Sequence, residues 1–344
     1  MFAVTGILTA IGAVSPAACA IIGPIALGFA GRYGISALMM GMMVVHGAQA
    51  GGFSPISIYG SITNSVMKDA GLPNSEVVIF LSSLIVNTIL AAILFVVLGG
   101  RGLLNKRVDP DEGEGDTVGD ELHGGGASVP QRGFGTSTET TTQATGVRRD
   151  QVLTLVAFAG VALVALAFDR NIGFAAITAA VVLHMLAPKE HQDAVKQIAW
   201  PTVLLVAGVS TYAFILEEAG SPEFVGNWAA GLGVAALGAL VLCYVGGVVS
   251  AFASSTALLP IIIPIGLPLI ADGGISAGLF VAALAVSSTI VDVSPFSTNG
   301  ALMLANKPDT IEEPVYYKQI LTYGVIVTLV GPLLVWAALV LPGW

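Results

Sequence analysis

One pattern occurs twice in this chain. Shifted by 240 residues against itself, the stretch 13–60 lies over 253–300 without a gap and with 16 identical positions. Composition alone would give roughly four or five. The coincidences are not apolar filler. They include Ser15 over Ser255, Pro24 over Pro264, Gly34-Ile35-Ser36-Ala37 over Gly274-Ile275-Ser276-Ala277, Ser54-Pro55 over Ser294-Pro295, Ser57 over Ser297 and Gly60 over Gly300. A polar pattern broken by Pro and Gly, repeated inside apolar sequence, points to a transporter built from two related halves. A small-molecule site is then expected where the broken segments meet.

Composition sets the class. The chain is 55% hydrophobic and 10% charged, with a mean hydropathy of +0.87; soluble domains carry about 25% charged residues. Several apolar runs approach or exceed the ~20 residues that cross a bilayer. The expected fold is an all-α polytopic membrane protein with the lipid bilayer as its main partner. The net charge of −9 comes largely from one acidic stretch around Asp109-Pro110-Asp111-Glu112, so it carries no nucleic-acid signal. Cys19 and Cys243 both lie in apolar segments, which suggests neither a disulfide framework nor a metal site. The start Met-Phe-Ala-Val lacks the basic region of a signal peptide.

Apolar segments are read at about 4–31, 35–67, 76–99, 151–168, 171–187, 200–217, 233–271, 275–306 and 314–341. The segments 4–31 and 233–271 carry polar breaks near their middles, at Ser15-Pro16 and Ser254-Ser255-Thr256, and read as re-entrant hairpins. The segments 35–67 and 275–306 are long for one helix and break at Ser-Pro, so they read as discontinuous helices. Three regions follow: a first repeat at 1–100, a linker at 101–150 and a second repeat at 151–344. The linker is poor in large apolar side chains and is expected to be disordered. With both hairpins returning to their own side, eleven of the thirteen Lys and Arg residues fall on one face. That face, which includes the linker, is expected to be cytoplasmic, in the inner (plasma) membrane. The two hairpins then open to opposite sides, so the repeat is inverted. The 240-residue shift maps spans of the second half onto positions before residue 1. A complete fold is therefore expected to carry about four more helices upstream.

The breaks carry the chemistry. Small hydroxyl residues at a hairpin tip let hydroxyl and carbonyl oxygens converge on a hard cation such as Na+, and half-helix ends add favourable dipoles. A Ser-Pro break frees amides at the start of the next half-helix, which suits an anion. Candidate substrate ligands are therefore Ser15, Ser57, Ser255, Thr256, Ser297, Thr298 and Asn299, and candidate cation ligands are Ser15, Gly52, Ser255, Asp292 and Ser294. Asp292 stands opposite Gly52 in the repeat. It is either a membrane-embedded carboxylate that holds Na+ or a proton, or a cap on a half-helix beside a wet cavity. His46 reads as a structural histidine; His184 and Glu217-Glu218 lie near span ends and read as bland. No Lys or Arg sits in the middle of a span, so a dianion would be held by dipoles, hydroxyls, amides and bound cations. No organic cofactor is suggested, only Na+ or H+ as coupling ion. No nucleophile elbow, phosphate loop or His/Cys cluster is visible, so an enzyme is disfavoured.

The run Ser254-Ser255-Thr256-Ala257-Leu258-Leu259-Pro260 resembles the Ser-Asn-Thr hairpin signature of divalent anion:sodium symporters, with Ser255 where that family has Asn. The stretches His46–Gly60 and Ser294–Leu302 resemble the malonate/C4-dicarboxylate carrier of the MatC type more closely. The resemblance covers the chain outside the linker and begins well inside that family's usual length. It implies a homodimer, a scaffold and a moving transport domain, elevator-like alternating access and a dicarboxylate such as malonate or succinate. Two other readings stand beside it: an exporter of an inorganic oxyanion such as arsenite, and a non-transporting membrane sensor or scaffold working through the linker.

Overall fold

The computed structural model describes residues 1–103, 149–168, 172–186, 188, 194–197, 200–230, 235–252, 255–271, 275–308 and 310–342. The described residues are helical, with no strand. The first part comprises α1 (Phe2–Ala10), α2 (Ser15–Tyr33), α3 (Ala37–Gly51), α4 (Ile58–Asp69), α5 (Glu76–Val97) and the short α6 (Gly100–Leu103). The rest comprises α7 (Arg149–Phe168), α8 (Ile172–Leu186), a 3-10 turn (Ala194–Gln197), α9 (Trp200–Glu218), α10 (Ser221–Ala230), α11 (Ala235–Ser250), α12 (Ser255–Ala271), α13 (Ala277–Ile290), α14 (Thr298–Ala305) and α15 (Glu313–Leu339). Most of the expected linker, 104–148, lies outside the described residues, as does Ser254 of the second polar break.

The surface has the polarity of a membrane protein. On α5, Ile85, Ile89 and Ile93 are 55%, 53% and 50% exposed, while Ser83 and Asn87 are fully buried. That reverses the arrangement water selects, and suits lipid outside with polar contacts inside. Helix α15 likewise exposes Ile326, Leu329 and Leu334 and buries Ile320, Gly324 and Val327. By length and composition α2, α5 and α15 each suffice to cross a bilayer.

Much of the repeated sequence is local stop and start chemistry. Gly34 ends α2 in the left-handed region at φ 61°, and the Ile35 amide reaches back to the Ala30 carbonyl at 2.9 Å. Ser36 then caps α3, its hydroxyl accepting from the Met39 amide at 3.3 Å. Ser276 holds the equivalent place before α13.

Packing repeats as well. Helix α1 packs on α3 as α11 packs on α13; α3 packs on α5 as α13 packs on α15. Close approach explains the glycines. A Cβ on Gly6 would meet the Gly47 carbonyl, and one on Gly51 would overlap Gly6. At the corresponding place in the second half, a Cβ on Gly246 would overlap the Ser288 hydroxyl. Across the halves, α2 packs on α14 and α12 packs on α4, so each pre-break pair touches the post-break helix of the other half.

Helix α10 was not among the sequence expectations. Gly220, at φ 72°, turns the chain out of α9, and Ser221-Pro222 restarts it. Its Glu223, Asn227 and Trp228 interrupt the apolar run on which hydropathy depends. The three prolines of α12, Pro260, Pro264 and Pro268, are spaced four apart and do not break the helix. Each lacks the amide that would bond the carbonyl four residues earlier, that of Thr256, Pro260 and Pro264 in turn.

Candidate functional site

Two interruptions lie at the core of the molecule. Residues 52–57 separate α3 from α4, and residues 291–297 separate α13 from α14. Pro55 and Pro295 each lack the amide that would continue the helix. The same hydrogen bonds close both. Ser54 Oγ donates to the Ala10 carbonyl at 2.6 Å, and Ser294 Oγ to the Ala251 carbonyl at 2.7 Å. These bonds pin each break to the chain that links the preceding helix pair, α1–α2 or α11–α12. Each serine also accepts from the amide two residues on, Ile56 at 3.4 Å and Phe296 at 3.3 Å.

Ser57 and Ser297 start the post-break helices in the same extended conformation, φ −86° and ψ 167° for one and φ −84° and ψ 162° for the other. Their hydroxyls face inward. Ser57 Oγ donates to the Gly52 and Ser54 carbonyls and accepts from the Gly60 amide; Ser297 Oγ donates to the Ser294 carbonyl at 2.8 Å. The donor capacity of both serines therefore closes their own turn. Gly60 and Gly300 complete the arrangement, because a Cβ on either would overlap the Ser54 or Ser294 carbonyl.

The halves diverge at one position. In the first, the Gly52 carbonyl accepts from the Gly60 amide at 3.3 Å. In the second, the Asp292 side chain takes the capping role: Oδ1 accepts from the Asn299 amide at 3.1 Å and Oδ2 from Asn299 Nδ2 at 2.8 Å. Asp292 is 3% exposed. The neighbouring groups that act on its carboxylate come from Ser297, Thr298 and Asn299, none of them basic.

Asn299 also joins the halves. Its Nδ2 donates to Ser15 Oγ at 2.9 Å, a residue 284 positions away. Its Oδ1 is buried and makes no hydrogen bond to any described residue. Asp292, Asn299 and Ser15 thus present a carboxylate, an unused amide oxygen and a hydroxyl oxygen in one buried cluster, a donor set that fits a hard cation or a proton. Tyr59 stands at the repeat position of Asn299, its hydroxyl facing Ser15 and Thr256 within electrostatic reach of the Asp292 carboxylate. Cys19 faces Ser15 within the same reach of Asp292.

Of the sequence candidates, Ser15, Thr256, Asp292 and Asn299 come together. Ser255 lies beside them in the second half, its hydroxyl 2.8 Å from Ser250 Oγ and 3.2 Å from the Ser288 carbonyl. Gly52, Ser54, Ser57, Ser294 and Ser297 shape the two breaks. Thr298 is exposed at the start of α14, beside an exposed Phe296 stacked on Phe252 at 5.8 Å. Its hydroxyl therefore faces outward, where the others are buried. Tyr59, Cys19 and Ser250 were missed from the sequence. The repeat itself carried the signal for Tyr59, through its alignment with Asn299.

Residues 1–52 match the family model described as the dicarboxylate carrier protein MatC N-terminus. Residues 170–343 match the one described as citrate transporter, which spans 174 of the 344 residues. No curated protein matches the chain. Both descriptions are of carriers, and neither describes an enzyme.

Proposed function

We propose that this chain, which belongs to the citrate transporter family, is a secondary active carrier of small dicarboxylates such as malonate or succinate, coupled to a cation. The observation that carries the reading is the bridge from Asn299 to Asp292 and Ser15. It brings a buried carboxylate to the contact between the halves, with oxygen ligands and no basic partner among the described ion pairs. A carboxylate held there at membrane depth is costly unless a cation or proton joins it. A cation in that cluster supplies the positive charge that no span residue provides. The dianion then binds next to it, against Thr298, Thr256 and the start of α14.

The mechanism follows from the same packing. Each post-break helix touches the α1–α2 or α11–α12 pair of the other half. Loading the central cluster therefore stiffens contacts between halves, which favours movement of the broken helices and the two pairs as one body. We read α1–α2 and α11–α12 as re-entrant hairpins of an inverted repeat, and the motion as elevator-like, in a homodimer of the inner membrane with the linker in the cytoplasm.

The test is uptake of labelled malonate, succinate and citrate into proteoliposomes, with and without an inward Na+ or H+ gradient. Gradient-driven accumulation of one of these acids, inhibited by the others in order of similarity, is expected. Uptake of arsenite with none of the acids would replace the reading by an oxyanion carrier.

A further inference from the structure

A second polar cluster lies away from the central one, and the transport reading has not used it. His46 is fully buried on α3. Its Nδ1 is 2.9 Å from Asn87 Oδ1 on α5, and its Nε2 is 2.6 Å from the Tyr323 hydroxyl on α15. The partners fix the direction of each bond. Asn87 Nδ2 donates to the Ser83 carbonyl at 3.0 Å and to Ser83 Oγ at 3.3 Å, which turns its oxygen toward the imidazole. Nδ1 therefore carries the hydrogen, and Nε2 accepts from Tyr323. Ser83 Oγ passes the chain on, donating to the Gln49 carbonyl at 3.0 Å. A one-way series of hydrogen bonds runs from Tyr323 through His46, Asn87 and Ser83 back to α3.

A single hydroxyl rotation lets this series hold either form of the ring. If Nε2 gains a proton it becomes a donor, and the Tyr323 oxygen accepts from it while its own hydrogen turns away. The other links keep their sense. Tyr323 is the titratable group in contact with the imidazole. The remaining helices that pack on α3 offer Cys19 and, at the far end of the helix, Arg32 and Tyr33 from α2, none from α1 beyond the amino group of Met1, and none from α13 or α14. On α5 and α15 the charged residues Glu76, Glu313 and Lys318 lie toward the helix starts, and Tyr316 and Tyr317 are two turns before Tyr323.

The position of the pair gives it leverage. His46 lies on the helix that runs into the first break. Tyr323 is followed by Gly324, where an added Cβ would stand 3.0 Å from Ser294 Cα in the second break. The bond between Nε2 and the Tyr323 hydroxyl thus spans the helices that abut both interruptions.

We propose that His46 and Tyr323 form a protonatable positioning element for transport. A proton taken up at His46 Nε2 reverses the Tyr323 bond and resets α15 against α3, and with them the two breaks. The proposal rests on the carrier reading for its readout in uptake, but the proton site itself is independent of the substrate.

The experiment uses the full chain as wild type, Tyr323→Phe and His46→Gln. Labelled malonate uptake is measured in proteoliposomes at equal pH on both sides, between about pH 4 and about pH 8, a range wide enough for a buried imidazole. The wild-type KM is expected to change by about fivefold or more across that range, the lower end of typical coupling. In both variants the change is expected to fall below about twofold, with the maximal rate kept. Melting temperature of the detergent-solubilised proteins over the same range forms a second arm that needs no transport. There the wild-type dependence on pH flattens in both variants. Parallel pH profiles in all three proteins, in KM or in melting temperature, overturn the proposal, as does a uniform drop in melting temperature without a change of slope. If wild type takes up none of the acids, the carrier reading fails, while the melting arm still decides the role of His46.

Discussion

Replacing Asn299 by Ala removes one nitrogen that makes two hydrogen bonds, 2.8 Å to the Asp292 carboxylate and 2.9 Å to the Ser15 hydroxyl. The backbone bond from the Asn299 amide to Asp292 Oδ1 survives, because alanine keeps it. A bond to a charged group contributes about 1.5–3 kcal/mol and one between neutral groups about 0.5–1.5 kcal/mol, so about 2–4.5 kcal/mol is at stake. The lost groups join the start of α2 to the second break, so the deficit is expected in the loaded state of the central cluster. At about 1.4 kcal/mol per tenfold, substrate KM rises by about 30-fold to about 1,600-fold. The assay is initial-rate uptake into proteoliposomes across a wide range of malonate, with the amount of folded protein set by gel filtration. Gln in place of Asn299 moves the same amide by a methylene and is expected to restore little. A KM within about threefold of wild type in Asn299→Ala, with folded protein in hand, would refute the reasoning, because the bridge would then carry no binding free energy.

Two further outcomes follow from the breaks. Ser57→Ala removes the hydroxyl bonds to the Gly52 and Ser54 carbonyls, and Ser297→Ala the one to Ser294, while backbone amides still serve all three carbonyls; each is expected to destabilise the protein by about 0.5–1.5 kcal/mol, read as a lower melting temperature. Gly60→Ala and Gly300→Ala drive a Cβ into the Ser54 and Ser294 carbonyls, and are expected to abolish the folded peak in gel filtration, whereas Gly28→Ala, with open space around it, leaves that peak unchanged.

The repeat makes the broken helices legible in the sequence. Ser54-Pro55 and Ser294-Pro295 carry their structural reason in the sequence, since proline cannot continue a helix and serine offers the replacement bond. The tetrapeptide at 34–37 is a stop and a start, and in its second copy Ser276 again stands before a helix. What periodicity could not supply was the direction of side chains at the breaks. Ser57 and Ser297 read from the sequence as hydroxyls for an anion; in the fold both are buried and donate within their own turn. Asp292 was open between ligand and cap. The structure gives it the capping bonds, while its burial beside Asn299 Oδ1 keeps the ligand role in play. Tyr59 and the His46 network depend on contacts across 41 to 277 residues, which no local pattern encodes. Helix α10 was hidden because its polar residues fall in the window where hydropathy is averaged.

The central claim is that a cation at Asp292 energises carboxylate uptake. Asp292→Asn isolates it, since the Asn299 amide can flip to pair with the new side chain and the fold is retained. The decisive measurement is accumulation of labelled malonate against its gradient, driven by inward Na+ or H+, in wild type and Asp292→Asn. The account predicts cation-driven accumulation in wild type, and in the variant only exchange that no longer responds to the cation gradient. Equal, gradient-driven accumulation in both proteins would contradict it.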